Sequence, residues 1–221
     1  MSIKQQIEHL HSSLPKGITL VAVSKFHPVE SIREAYEAGQ RIFGESRPQE
    51  MAAKVGQLPS DIEWHMIGHL QTNKVKMIAP FVKLIHSVDS LRLLQEINRQ
   101  AEKYERIIDI LFEIHLAEDE SKSGWDLEEF FEFVNSSSLS LLHWVRPRGV
   151  MTIGTLTDDI ELNKAEFRRL REIFEQLKGK FGESFDTVSM GMTSDYNEAI
   201  ECGSTMVRIG SMIFGERDYS K

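Results

Sequence analysis

The feature that most constrains this chain is a repeated alternation: a short apolar run of strand length, then a stretch with helical period, again and again along the sequence. The first run, ITLVAVSK at residues 18–25, is continuously apolar and rich in β-branched residues, as a strand buried on both faces must be. A helix follows Pro28, carrying Val29, Ile32, Ala35 and Tyr36, and stops at Gly39. Further strands read at 41–45, 63–68, 82–88, 107–116, near 148–153, at 186–191 and, with its loop, at 206–215. Helical stretches read at 48–57, 70–79, 91–104, 125–135, about 160–179 and 194–203. Ahead of the first strand, Ile3, Ile7 and Leu10 have helical spacing, and Pro15-Lys16-Gly17 breaks that helix.

Eight strand-then-helix units with right-handed crossovers can close on themselves and abolish the sheet edges. The alternative is an open doubly wound sheet. The count of eight, and the lack of a glycine-rich phosphate fingerprint after the first strand, favour a (β/α)8 TIM-type barrel with an extra N-terminal helix. No Pro/Gly/Ser linker interrupts the 221 residues, so a single domain covering 1–221 is expected.

Charge and cysteine content narrow the function classes. The net charge is −8 and the basic residues are scattered, which argues against nucleic acid as a partner. No segment approaches ~20 consecutive apolar residues, so no membrane partner is expected. The N-terminus lacks a signal-peptide pattern, and the one cysteine, Cys202, excludes an intrachain disulfide; both fit a cytoplasmic protein. Cys202 reads as a packed thiol at a helix end.

In such barrels the chemistry sits at the C-terminal ends of the strands. Two adjacent ends stand out. Ser189, Gly191 and Thr193 follow the seventh strand, and Gly210 and Ser211 follow the eighth. Small residues let backbone N–H groups approach an anion, and hydroxyls add donors, so this pair reads as a phosphate site. Lys25 ends the first strand, which neighbours the eighth in a closed barrel. In a partly desolvated mouth near Arg208 its amine should have a lowered pKa and act as a Schiff-base nucleophile; the bland alternative is a surface lysine at a strand end. Arg208 itself reads either as a cation beside a ligand ring or as a structural arginine. His65, His86 and His115 also fall at strand ends. A metal site built from them is conceivable, but hydrogen-bonded residues lining the mouth or core are the simpler reading.

The motifs AVSK (22–25), AGQRIFGE, WHMIGHLQTNK, ESKSG, RGVMTIG, SMGMTSD, EAIECGSTMVRIG and RIGSMIFGERDY (208–219) occur in this order over nearly the whole chain. With them the sequence resembles the pyridoxal phosphate homeostasis protein family, barrel relatives of the N-terminal domain of alanine racemase. The resemblance implies that Lys25 carries pyridoxal 5′-phosphate as an aldimine. It implies that Ser189, Gly210 and Ser211 bind the phosphate with Met190 and Gly191 nearby, and that Arg208 addresses the pyridine nitrogen. Ser46 is counted with the site, although the family commonly has Asn there; a side chain from the second strand is then expected to miss the cofactor or to reach it through a water.

An arginine at the ring nitrogen leaves it unprotonated and the ring a weak electron sink. In alanine racemase the resemblance assigns the second acid/base to a tyrosine of an added domain, for which this chain has no room after the eighth strand. Tyr219 lies in the tail. The expectation is therefore a monomeric, non-catalytic carrier that buffers the cofactor or delivers it to apo-enzymes. A small racemase or lyase using a mouth histidine is the alternative, and a metal-dependent barrel hydrolase the third reading.

Overall fold

The structure, a computed structural model, describes residues 1–117 and 123–215. Tyr219 and parts of the ESKSG and RIGSMIFGERDY motifs lie outside the described residues. Eight parallel strands form a closed barrel in sequence order, with β8 pairing back onto β1. They are β1 Thr19–Val23, β2 Ile42–Glu45, β3 Glu63–Met66, β4 Leu84–Val88, β5 Ile108–Glu113, β6 Val145–Met151, β7 Thr187–Ser189 and β8 Met206–Ile209. Around them lie α1 Ile3–Ser13, α2 Val29–Glu37, α3 Pro48–Val55, α4 Val75–Ile78, α5 Leu91–Lys103, α6 Leu127–Asn135, α7 Ile160–Phe181, α8 Tyr196–Glu201 and α9 Ser211–Phe214. The TIM-type barrel and its leading helix are thus present.

Side chains alternate across each strand, which separates two cores. The larger one lies between barrel and helices, where Trp125, Phe112, Phe130 and Phe174 are buried. The smaller fills the barrel itself with Val21, Leu84, Leu111, Met151 and Met206, and Ile42 and Ile153 pack against it. The same inward parity on the other strands brings polar residues inside: His65, His86, Ser189 and Arg208 are all buried.

The structure departs from the sequence reading at three places. β6 begins at Val145, ahead of the expected start near 148. Its first residues include Pro147, which cannot donate to a ladder, and the register with β5 shifts there, between Ile110 and Leu111. Arg146 and Arg148 are tolerated because both reach Asp109, at 2.6 and 3.3 Å. The helix expected at 70–79 is a 3-10 turn, Thr72–Lys74, running into the short α4. The apolar run after Arg208 leaves the sheet at Ile209 and coils into α9.

That last helix is only four residues long. The outer ring is completed by α1, which packs against both α2 and α9. Ser2 caps α1 through a capping box with Gln5, and Ile7 and Leu10 are fully buried.

Candidate functional site

A cavity of about 410 Å³ opens at the C-terminal ends of β1, β3, β6, β7 and β8. This volume suits a small-molecule ligand. Val23, Ile67, Ile153, Leu156 and Met192 give it apolar walls, and Lys25, Thr193, Ser194, Arg208, Gly210 and Ser211 give it polar groups. Lys25 and Arg208 therefore meet in one space, because β1 and β8 are hydrogen-bonded neighbours with Val21 opposite Arg208.

Arg208 is buried and held by three hydrogen bonds. Its guanidinium donates to the Ser189 carbonyl at 2.9 Å, to Ser189 Oγ at 2.7 Å and to the Thr152 carbonyl at 2.9 Å. Burial lowers its pKa to about 10, against which the nearby carboxyls of Glu113 and Asp195 act. At neutral pH it remains a cation with a fixed orientation.

The chain of contacts continues inward from Ser189. Its hydroxyl lies 3.0 Å from His86 Nδ1, and His86 Nε2 lies 3.0 Å from His65 Nδ1. Arginine can only donate, so Ser189 Oγ accepts from Arg208, and His86 Nδ1 is the acceptor that the described residues offer to its own buried proton. His86 must then carry its proton on Nε2 and donate to His65 Nδ1. Both rings are neutral: burial lowers His65 to about 3 and puts His86 well below its usual value. His65 reaches the far end of the barrel. There it lines a second cavity of about 370 Å³ with Glu63, Lys83 and Asp109, at the end that in such barrels carries stability.

These contacts place the expected site residues as follows. Ser189 is fully buried and its hydroxyl is taken up by Arg208 and His86, so it supports the cation. Met190 has the opposite parity: it lies in the outer core, and its N–H donates to the Met206 carbonyl. Gly191 has φ +94, and a Cβ there would sit 2.6 Å from Ala199 Cβ, so it serves the turn and the packing of α8. The residues of that loop lining the cavity are Met192, Thr193 and Ser194. Ser46 lies at the end of β2 against Gly68, where a Cβ would come within 2.6 Å of the Ser46 side chain; it is not part of the cavity wall. Lys25, Arg208, Gly210 and Ser211 all line the cavity. His65, His86 and His115 do not converge as metal ligands. Among the described residues no three His, Cys, Asp or Glu side chains do so.

Glu113, missed in the sequence, ends β5 with the inward parity of Leu111. It is buried; Ser123 Oγ donates to its Oε1 at 2.9 Å, and Oε2 finds no partner among the described residues. Burial raises its pKa to about 7.

The chain is a closed β/α barrel with a ligand-sized cavity at its mouth, where a lysine at the end of the first strand, a locked arginine on the last and hydroxyl-bearing loops come together. Similarity to known proteins places it further. The model of the alanine racemase N-terminal domain family matches residues 1–218. The pyridoxal phosphate homeostasis protein of Pasteurella multocida is 39% identical, over 99% of this chain and 96% of its own. The structure of PipY from Synechococcus elongatus, solved with PLP bound, is 37% identical, covers 97% of this chain and 100% of its own, and has a TM-score of 0.89. Alanine racemase from Streptomyces coelicolor shares the fold at 16% identity and a TM-score of 0.76, with 57% of its own length covered. The chain belongs to the pyridoxal phosphate homeostasis protein family, within the alanine racemase N-terminal domain group.

Proposed function

We propose that this chain binds pyridoxal 5′-phosphate reversibly, with Lys25 as the covalent anchor, and serves cofactor homeostasis by holding and releasing it. The observation that carries the reading is the meeting of one amine and one locked guanidinium in a single 410 Å³ cavity. The residues fit the group. Lys25 would hold the aldehyde, Thr193, Ser194, Gly210 and Ser211 would hold the phosphate, and the apolar walls of Val23, Ile67 and Ile153 would suit the flat ring. The PLP-bound PipY relative supports the same assignment.

The cofactor supplies a reversible bond to an amine and, when its ring nitrogen is protonated, an electron sink. Arg208 works against that protonation: it stays charged, and its three contacts to Ser189 and Thr152 prevent it from turning away. His65 and His86 are poor candidates for the base a racemase or lyase would need, because burial lowers their basicity. His65 and His86 are neutral and committed to each other and to Ser189. These features favour carriage over turnover; we further propose apo-enzymes as recipients and a monomer acting in the cytoplasm. Among the described residues no helix is long and apolar enough to cross a membrane.

The test is spectroscopic and isotopic. Purified protein given pyridoxal 5′-phosphate should show a band near ~420 nm that Lys25→Ala abolishes. Deuterium wash-in at the α-carbon of a panel of amino acids should be negligible; steady exchange at enzyme-like rates would overturn the carrier reading.

A further inference from the structure

β1 ends at Val23, and the last ladder bond beyond it is the Ser24 N–H donating to the Gly44 carbonyl at 3.0 Å. Past that point the sheet no longer dictates where a side chain points, yet Lys25 has to project into the cavity. Phe26, next along, has φ 68, a left-handed conformation unfavourable for a residue with a bulky side chain. The His27 N–H closes the turn on the Ser24 carbonyl at 3.1 Å, and a group outside the sheet braces it further.

The group that does so is a buried lysine on α3. Lys54 is 6% exposed. Its Nζ donates to the Ser24 carbonyl at 3.0 Å, to Glu45 Oε1 at 2.8 Å and to Glu50 Oε1 at 2.7 Å. Glu50 Oε1 also accepts the Phe26 N–H at 2.7 Å, and Ser24 Oγ donates to Glu45 Oε1 at 2.6 Å. One ammonium thus ties down the residue before Lys25 directly and the residue after it through a carboxylate. A buried ion pair of this kind is seldom the most stabilising filling for its space, so its use is better sought in geometry.

We propose that Lys54, acting with Glu50, is the positioning residue for Lys25: it fixes the 24–26 turn so that the Lys25 amine projects into the cavity. This rests on Lys25 being the cofactor anchor. Two variants separate the parts. Glu50→Ala keeps the Lys54–Glu45 pair and removes the Phe26 tether together with the Lys54–Glu50 pair; Lys54→Met withdraws the ammonium from the Ser24 carbonyl and from Glu50 but leaves Glu45 buried without its cation.

The first readout is amide hydrogen exchange at Phe26 in the cofactor-free protein, with the core amide of Ile110 as an internal reference. In Glu50→Ala the Phe26 amide should exchange about tenfold faster while Ile110 is unchanged, the size expected for losing one hydrogen bond to a charged acceptor. The second readout is release of pyridoxal 5′-phosphate from the loaded protein, which should quicken in both variants. Unchanged exchange at Phe26 overturns the clamp. Faster exchange with unchanged release shows an ordered turn that does not position the amine, and overturns the proposal equally. Lys25→Ala is the control: a visible band that survives it refutes the anchor reading, while the Phe26 exchange result stands by itself.

Discussion

Replacing Ser189 by alanine tests the buried polar chain at its central link. The hydroxyl makes two contacts, accepting from Arg208 at 2.7 Å and donating to His86 Nδ1 at 3.0 Å. Arg208 would keep its bonds to the Ser189 and Thr152 carbonyls and lose one charged hydrogen bond, worth about 1.5–3 kcal/mol. His86 Nδ1 would be left as a buried acceptor without a donor, a penalty of about 1–3 kcal/mol. Some relaxation offsets the sum, so we expect a net loss of about 2–4 kcal/mol, a large share of a typical domain's stability. Urea denaturation of the cofactor-free protein measures it, read from the midpoint at constant slope. A double-mutant cycle with His86→Ala should return a coupling of about 1 kcal/mol or more. A Ser189→Ala variant within about 0.5 kcal/mol of the parent would refute the reasoning, because surface substitutions of no consequence fall in that range.

Three further outcomes follow from the same geometry. Glu113 holds its proton up to about pH 7 when folded, whereas its ordinary value is 4.5. The native state therefore binds the extra proton between these values, and stability falls as pH rises through that window, by about 3 kcal/mol at most; Glu113→Gln should flatten this slope in denaturation curves recorded from pH 5 to pH 7. His65 and His86 should not titrate between about pH 5 and 8, and nitrogen NMR should show both protonated on Nε2; a titrating His86 would break the assigned donor order. Leu10→Ala, in the fully buried face of α1, should cost about 2–5 kcal/mol by thermal or chemical denaturation, and a cost under about 1 kcal/mol would show that α1 is not part of the ring.

The barrel is legible because its strands are buried on both faces, and runs such as 18–25 have no other ready explanation. What escapes is equally physical. Arg146, Pro147 and Arg148 look like a loop until Asp109 and a register shift are seen to accommodate them. SMIF looks like more strand because four apolar residues carry no period. Lys25, Arg208, Gly210 and Ser211, which line the cavity, stand at or next to strand ends in the sequence. Ser189 and Met190 do not line the cavity, because parity turns one side chain below the mouth and the other outward, which nearness to the mouth alone leaves out. Lys54 leaves no signal, since Glu50 and Lys54 at i and i+4 read as an ordinary surface pair, and only the fold turns that pair inward.

Because α9 is too short to complete the ring, the eighth helical position is taken by α1, and the β1–β8 seam is the place where Lys25 and Arg208 meet. The ligand site is thus assembled across the most distant contacts in the sequence. Such contacts bear the largest loop-closure entropy and form late. Partly folded species of this chain should therefore lack the site altogether, and ligand capture becomes a report that folding has finished. A circular permutant opened between α4 and β4 and joined across the present termini would make the seam local; it should gain ligand competence earlier in refolding than the parent does.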